Sequence, residues 1–325
     1  MEPILLIGGS GVVGRWTARS LRRAHPEWAL RIGGRDLAKA RLVADEVGNA
    51  QAVRVDLGRT DLGLGDQAFG AVVILLKDDT LAALKFAQLR RVPHLGISSG
   101  SFEIAPEVSA FIHQPSAAPV VLGSEWLAGA ATLPTLYLAK KFVRLDEIRI
   151  DALLDEQDIG GPAAELDMHR LTELAPAALT RREGAFFWRV GDEAKVPLRA
   201  VDGTSMQGFA YSPFDIAALA AATDAPNVQL NVAVGVSSSR RRGQPMSSEL
   251  TITLVGQTRD GETTRERHAV VHPEGQAPLT ALGITMMLEG VIGKAAGLYL
   301  PEQLIEPDAY IRRLVAIGGS IEALS

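Results

Sequence analysis

Cysteine is absent from the 325-residue sequence, and its absence excludes several kinds of chemistry. The chain can form no disulfide, no thiolate nucleophile and no cysteine-ligated zinc site. The six histidines show no ligand spacing on a predicted helix, since His268 and His272 lie in or after a predicted strand, and we expect no metal site. Basic residues are not in excess either: the formal net charge is −5, which argues against a nucleic-acid partner.

The chain also lacks an apolar run that is long and uninterrupted enough to span a membrane. The stretch Trp126 to Ala139 is short and contains Pro134. The stretch Leu279 to Leu300 carries Glu289 and Lys294. Both stretches predict buried helices instead. The N terminus has no basic region typical of a signal peptide, so we expect a cytoplasmic protein with no membrane partner.

The first part of the sequence alternates short apolar runs with amphipathic stretches, which predicts strands followed by helices. The apolar runs are continuous, as is typical of a parallel sheet that is covered by helices on both faces. We therefore predict an α/β fold with a doubly wound parallel sheet. The predicted strands are Ile4–Ile7, Ala29–Arg35, Gln51–Asp56, Ala71–Lys77, Pro93–Ser98 and Pro119–Ser124.

The pattern changes after about Leu145, where apolar and polar residues alternate. A mixed or antiparallel sheet in a second domain of α+β type is indicated by the runs EIRIDALLDE, NVQLNVAVGV and LTITLVGQT. Asp260-Gly261 predicts a two-residue hairpin turn, and we interpret residues 237–245 (SSSRRRGQP) as an exposed loop with solvated arginines. One predicted strand face carries Val228, Leu230, Val232, Val234 and Val236.

The C-terminal part of the sequence predicts helices. Leu279–Ala296 is apolar nearly all round, which predicts a buried helix that Gly297 caps. A last helix is predicted between Pro307 and Gly318.

A glycine loop lies between the first predicted strand and the first predicted helix, in the stretch ILLIGGSGVVGRW. The residues Gly9-Ser10-Gly11-Val12-Val13-Gly14 match the pattern G-x-G-x-x-G in that context. We expect Gly9 to permit a tight turn, Gly11 to let the backbone approach a pyrophosphate, and Gly14 to let the helix pack closely. Because free N–H groups at a helix N terminus bind anions, the loop predicts dinucleotide binding.

The residues at the end of the second predicted strand determine whether NAD or NADP is preferred. Sites for NAD place an acidic residue there, whereas this sequence has Arg35, with Lys39 four residues later. A guanidinium can bind a 2′-phosphate through two hydrogen bonds, so we favour NADP over NAD. Asp36 leaves two alternatives open: a contact to ribose hydroxyls, or a cap of the next helix.

Four further residues lie at ends of predicted strands, where the edge of an open parallel sheet faces cofactor and substrate. Asp56 follows the third strand and is either an adenine contact or a turn residue. The others are Leu76, Lys77 and Ser98.

Tyr137 and Lys141 form a second candidate constellation, because they would share one face of a helix that follows Ser124. A lysine ammonium there could lower the tyrosine pKa for proton donation to a carbonyl. This spacing resembles the Ser…Tyr-x-x-x-Lys set of short-chain dehydrogenases, although that family has one sheet. We interpret the other polar candidates of the second domain as structural or surface residues: Glu125, His169, Arg181 and Tyr211.

A second resemblance covers more of the chain. The NADP-binding half of the saccharopine dehydrogenase family is similar to ILLIGGSGVVGRW, GGRDLAKA and VRVDL. The family's fifth strand resembles RRVPHLGISSG, and its crossing into the second domain resembles GSEWLAGAATLPTLYLAKKF. Its C-terminal segment resembles GLYLPEQLIEPDAYIRRLVAIG. The sequence departs from the family at Lys77, where a small polar residue or proline is usual, and at Leu127-Ala128-Gly129, where Pro-Gly is common.

The resemblance implies a Rossmann domain over residues 1–123, an inserted domain for substrate and dimerisation over residues 124–278, and C-terminal helices (279–325) that return to the first domain. It implies that Gly9 to Gly14 hold the pyrophosphate and that Arg35 and Lys39 hold the 2′-phosphate. It also implies NAD(P)-linked reduction of an imine formed from an amine and an oxo acid, or the reverse reaction, in a homodimer.

Our hypothesis from the sequence is therefore an NADP-dependent oxidoreductase that acts on a small-molecule substrate. Two alternatives stay open. One is a short-chain-type carbonyl reductase that uses Tyr137 and Lys141, and the other is a non-catalytic NADP-binding regulator.

Overall fold

The computed structural model describes residues 1–158, 160–171 and 177–324. These residues form two compact units, and each unit contains one β-sheet. Unit 1 comprises Met1–Ser124, Gly160–Asp167 and Thr280–Ile305, and unit 2 comprises the rest of the described chain. The predicted C-terminal segment 279–325 is thus divided between the two units. Within the described residues, no helix combines the length and the apolar character needed to cross a membrane.

The strands and helices are numbered along the chain. The strands are β1 (Ile4–Ile7), β2 (Leu30–Gly34), β3 (Ala50–Arg54), β4 (Ala71–Ile74), β5 (His94–Gly96), β6 (Pro119–Leu122), β7 (Phe142–Asp155), β8 (Ala177–Arg182), β9 (Ala185–Val190), β10 (Lys195–Arg199), β11 (Ser205–Ala210), β12 (Asn227–Gly235), β13 (Ser248–Thr258), β14 (Thr263–His272), β15 (Gly297–Tyr299) and β16 (Ser320–Leu324). The helices are α1 (Val12–Ala24), α2 (Leu37–Val47), α3 (Ala82–Arg90), α4 (Ala105–His113), α5 (Thr132–Ala139), α6 (Pro162–His169), α7 (Asp215–Thr223), α8 (Ser238–Arg241), α9 (Gln276–Val291), α10 (Pro301–Leu304) and α11 (Pro307–Ala316).

Unit 1 contains a seven-stranded parallel sheet with the order β15-β6-β5-β4-β1-β2-β3. β1, β4 and β6 are buried along their whole length, as continuous apolar runs require when helices cover both faces. The chain runs outward from β1 to β3 and then crosses to β4 on the other side of β1. The strand order therefore reverses between β1 and β4, which is where open α/β sheets bind ligands. The predicted doubly wound α/β fold is confirmed.

Two elements of unit 1 differ from the prediction. α9 ends at Val291, and Gly293 follows with a positive φ of 84°. Gly297 was expected to cap this helix, but it begins β15, which pairs with β6 through Leu298 and Val120. α4 was not predicted. Its buried residue is the charged Glu107, and Val108 and Phe111 pack against an apolar cluster of unit 1.

Unit 2 contains a nine-stranded mixed sheet. Its main path is β10-β11-β12-β7-β13-β14-β16, with β8 paired to β12 and β9 paired to β8. β7 and β12 are parallel to each other, whereas the remaining pairs are antiparallel. The predicted second sheet is confirmed as mixed.

The face of β12 differs from the expected alternation. Val228, Leu230 and Val232 are buried, but Val234 is 52% exposed and Val236 lies beyond the end of the strand. Ala233 on the opposite face packs with Leu153, Leu198 and Ala200. Both faces of β12 therefore contribute buried residues, whereas the alternating sequence pattern predicted only one buried face.

Two predicted loops of unit 2 are also different. The β13–β14 connection contains residues 259–262 rather than two residues, and Thr258 N–H donates to the Glu262 carbonyl at 2.9 Å. Residues 237–245 do not form a solvated loop, since they include α8. Arg240 pairs with Asp155 at 2.6 Å, and Arg241 pairs with Asp202 at 2.6 Å. Ion pairing rather than hydration thus satisfies two of the arginines.

Candidate cofactor site

The glycine loop connects β1 directly to α1, and its first turn is made by Gly8. Gly8 has a φ of 84°, which favours glycine, so the tight turn lies one residue earlier than the sequence pattern predicted. Gly9 is needed for a different reason: a Cβ built there would lie 2.8 Å from the Leu6 carbonyl oxygen. The backbone of the loop is therefore closely packed against the end of β1.

Gly14 lets α1 approach the loop. A Cβ on Gly14 would lie 2.6 Å from Gly9 Cα and would also collide with the Gly8 carbonyl oxygen. Both obstacles are backbone atoms, which cannot move aside as a flexible side chain could. The predicted close packing of the helix on the loop agrees with this geometry.

The N terminus of α1 has no side-chain cap from its N-cap residue. Gly11 is the N-cap residue and makes no side-chain cap, and the first turn contains no acidic residue. Gly11 and Val12 are exposed, while Ser10 and Val13 are half-buried. The first N–H groups of a helix have no partner within the helix, and the helix dipole favours an anion there. The loop thus has the geometry and polarity to bind a pyrophosphate.

Exposed cations lie at the end of β2. Arg35 and Lys39 are exposed, and neither forms an ion pair with another described residue. Asp36 between them caps α2, because its Oδ1 accepts hydrogen bonds from Ala38 N at 3.0 Å and Lys39 N at 3.1 Å. Of the two alternatives for Asp36, the structure shows the cap. The Asp36 carboxylate therefore forms hydrogen bonds with N–H groups of α2, and Arg35 and Lys39 stay available to bind an anion.

Arg54 is a third exposed cation at this edge, and the sequence analysis missed it. It is the last residue of β3, and it pairs in register with Gly34 at the end of β2. The signal was present in the sequence, because parallel strands that end together bring their last residues to one edge. Asp56, the proposed adenine contact, has a turn role: its Oδ1 accepts from Gly58 N at 2.9 Å.

A polar cluster follows β4 and β5. Leu76 and Lys77 lie after the end of β4, and Ser98 lies after β5 rather than in it. Lys77 Nζ donates to Ser99 Oγ at 3.2 Å and lies 3.7 Å from Glu103 Oε2. Ser99 Oγ in turn donates to Glu107 Oε1. The structure therefore connects one predicted site residue, Lys77, to a carboxyl group on α4.

Glu107 and His94 are the buried titratable groups of this cluster. Burial raises the pKa of Glu107, although its hydrogen bond to Ser99 and the charge of Lys77 oppose the rise. Burial lowers the pKa of His94 to about 4, against a smaller opposing effect of Asp78. Both groups therefore favour their neutral forms. Glu107 could not be found from the sequence, since its helix was not predicted.

Tyr137 and Lys141 do not share a helical face. α5 ends at Ala139, and the exposed Lys141 lies past its end, where it pairs with Glu266 at 3.0 Å. Both residues line an open surface depression of unit 2. The short-chain-type hypothesis required both residues on one helix, but Lys141 lies outside α5 and its ammonium pairs with Glu266.

The other polar candidates have structural surroundings. Arg181 donates to the backbone carbonyls of Gly184, Ala220 and Ala225. Tyr211 is buried and packs edge-on against Trp126, with ring centroids 5.5 Å apart. Glu125 is buried, and His169 ends α6. Across the described residues, no group of three His, Asp or Glu side chains is arranged to hold a metal ion.

Comparisons with known proteins support the fold. No protein-family model matches the sequence, and no curated protein matches it. Among solved structures, saccharopine dehydrogenase (L-Glu forming) from Saccharomyces cerevisiae aligns with a TM-score of 0.68, 12% identity and full coverage of both chains. Homospermidine synthase from Legionella pneumophila, solved with NAD, aligns with a TM-score of 0.68, 10% identity, and 99% and 91% coverage.

A myo-inositol dehydrogenase from Corynebacterium glutamicum aligns less closely, with a TM-score of 0.51, 13% identity, and 100% and 99% coverage. At such identities the likeness concerns the fold. The chain therefore shares the two-sheet fold of saccharopine dehydrogenase.

Proposed function

We propose that the protein is an NADP(H)-dependent oxidoreductase. It transfers a hydride to or from the C=N or C=O carbon of a small substrate of amino-acid or oxo-acid type. The observation that carries the proposal is the N terminus of α1, which has no side-chain cap at Gly11 and packs against the glycine loop at the point where the strand order reverses. The resemblance to saccharopine dehydrogenases supports the class of substrate.

The residues present fit a phosphorylated dinucleotide. The N–H groups of the first turn of α1 would hold the pyrophosphate, together with the backbone of Gly9 to Gly14 and the hydroxyl of Ser10. Arg35 and Lys39 would hold the 2′-phosphate, and Arg54 is available at the same edge. This assignment places three cations beside a phosphate, and the carboxylate between Arg35 and Lys39 is held by N–H groups of α2.

The chemistry supplied by the cofactor is hydride transfer. The protein has to orient the reacting carbon and exclude water, and the expected position for this is the C-terminal edge of the unit 1 sheet, where Leu76, Lys77 and Ser98 lie. Lys77 is the charged group among them. It provides the positive charge that a developing alkoxide or amide anion would need.

Two measurements test the proposal. Fluorescence titration of the full chain with NADPH and with NADH should show tighter binding of NADPH. NADPH consumption should then be followed with oxo acids, alone and paired with amines or amino acids. Turnover that needs both partners supports imine reduction, and turnover with a carbonyl compound alone supports carbonyl reduction. Binding of NADPH without turnover in any mixture would favour the non-catalytic regulator.

A further inference from the structure

Lys77, Ser99 and Glu107 form a continuous hydrogen-bonded chain in unit 1. Lys77 Nζ donates to Ser99 Oγ at 3.2 Å, and Ser99 Oγ donates to Glu107 Oε1. The chain runs from a partly exposed ammonium to a carboxyl group that is 9% exposed. Ser99 is itself held in place, because its backbone N–H donates to Ser124 Oγ at 3.1 Å. The arrangement therefore connects the edge of the sheet with a buried proton-binding group.

The charged groups near this hydrogen-bonded chain have opposing effects on the pKa of Glu107. Glu103 lies 3.7 Å from Lys77 and also accepts from Gly100 N at 2.8 Å. Lys77 lowers the pKa of Glu107, whereas Glu103 and Asp78 raise it in addition to the larger effect of burial. Glu107 is therefore biased towards the protonated form while a cation remains within hydrogen-bonding reach of its neighbour. A buried carboxyl whose affinity for a proton is raised, beside a hydroxyl that can relay the proton, can serve as a proton store.

A small cavity adjoins this carboxyl. Its volume is about 20 Å³, which is sufficient for one water molecule, and its wall includes Glu107, Ser99 and His94. His94 is 4% exposed, and its Nδ1 has no hydrogen-bond partner in the described part of the chain. A water in the cavity would satisfy that nitrogen. Neutral His94 adds no second cation that would drive the proton off Glu107.

We propose that Lys77 is the proton donor to the substrate and that Glu107 restores its proton through Ser99. The inference rests on the proposed oxidoreductase function and deepens it. Lys77 stands where the resembling family usually has a small polar residue or proline, so the role belongs to this chain's own residues. A lysine ammonium is also a stronger acid than the hydroxyl groups of Ser98 and Ser99 beside it.

The proton steps balance the hydride transfer. When the substrate carbon gains the hydride, the π electron pair of the C=N or C=O bond moves to nitrogen or oxygen. The Lys77 Nζ–H bond breaks, and the proton joins that atom to give the amine or alcohol. Once Lys77 is neutral, both hydrogen bonds reverse: the Glu107 carboxyl O–H donates to Ser99 Oγ, and the Ser99 O–H donates to Lys77 Nζ. Lys77 then takes the Ser99 proton, Ser99 takes the Glu107 proton, and Glu107 regains a proton from solvent. Each turnover consumes one hydride from the cofactor and one proton from water.

Infrared spectroscopy of the full chain tests the proton store without substrate. We expect a protonated-carboxyl band that persists above the pH at which ordinary glutamates ionise and that is lost in Glu107→Gln but kept in Glu103→Gln. Lys77→Met should move the disappearance of that band to higher pH, because the ammonium no longer stabilises the carboxylate. Lys85→Met, at an exposed lysine on α3, is the matched control and should not move it. Absence of a Glu107 band, or an unchanged titration in Lys77→Met, would overturn the proposal.

Kinetics with a substrate identified by turnover test the relay itself. Lys77→Met should lower kcat by about 100- to 10,000-fold. Ser99→Ala should lower kcat, and Ser99→Thr should restore part of it because the hydroxyl returns. If NADPH binding fails, the proposed function is wrong whatever the infrared result. If NADPH binds and turnover survives Lys77→Met, the relay is wrong and the proposed function stands.

Discussion

Replacing Arg35 by alanine tests the assignment of the 2′-phosphate. Arg35 is exposed at the end of β2, has no ion-pair partner among the described residues, and follows the strand that determines the choice of dinucleotide. A hydrogen bond to a charged group contributes about 1.5–3 kcal/mol, and solvent screening of an exposed side chain favours the lower end. A loss of about 1.5 kcal/mol is about a tenfold loss of NADPH affinity. NADH lacks the 2′-phosphate, so its affinity should change by less than twofold.

The assay is fluorescence titration of both cofactors at low and high salt. The difference between the cofactors should shrink at high salt, because exposed charge pairs are screened. Arg23→Ala is the matched control: Arg23 is exposed in the last turn of α1, about 16 Å from the start of that helix at 1.5 Å per residue. Equal losses of NADPH and NADH affinity in Arg35→Ala would refute the assignment, since the guanidinium would then contact a part common to both.

Three further variants test other parts of unit 1. Gly14→Ala should destabilise the fold by about 2–3 kcal/mol and abolish NADPH binding, measured by denaturant unfolding and titration, because its Cβ meets backbone atoms. Asp36→Ala should lose about 1 kcal/mol of unfolding free energy with its helix cap while keeping the NADPH preference; loss of NADPH preference would contradict the cap role. His94 has its pKa lowered in the fold, so its contribution to stability should fall as pH drops from 6.5 towards about 4. Between pH 6.5 and about pH 4, the difference in unfolding free energy between wild type and His94→Gln should fall by about 3 kcal/mol. Glu107 contributes the opposite pH dependence in both proteins, so its contribution cancels in the difference. A difference that does not vary with pH would contradict the buried neutral histidine.

The sequence predicted those parts of the fold that depend on local composition. β1 has the predicted bounds, because four apolar residues in succession suit a strand buried on both faces. The glycine loop was recognisable because steric demands on its backbone act over six residues. Asp36 was recognised as a possible cap, but only the observed hydrogen bonds distinguish the cap from a ribose contact.

The parts that were missed depend on contacts between distant residues. β15 consists of three residues that gain their strand conformation by pairing with β6, far away in sequence. The link between Lys77, Ser99 and Glu107 joins positions after two different strands to a residue on α4. No local pattern encodes such pairings, so they become visible only in three dimensions.

The position of β15 in the chain affects how the protein can fold during synthesis. Six strands of the unit 1 sheet are complete once β6 has emerged, but the neighbour of β6 is encoded after nearly all of unit 2. At about 5–20 residues per second, the ribosome needs roughly ten to thirty-five seconds to reach β15. During that interval the apolar edge of β6 has no partner strand, and such an edge is a template for aggregation. Nascent chains truncated between β6 and β15 should therefore depend on chaperones in a way that the finished chain does not.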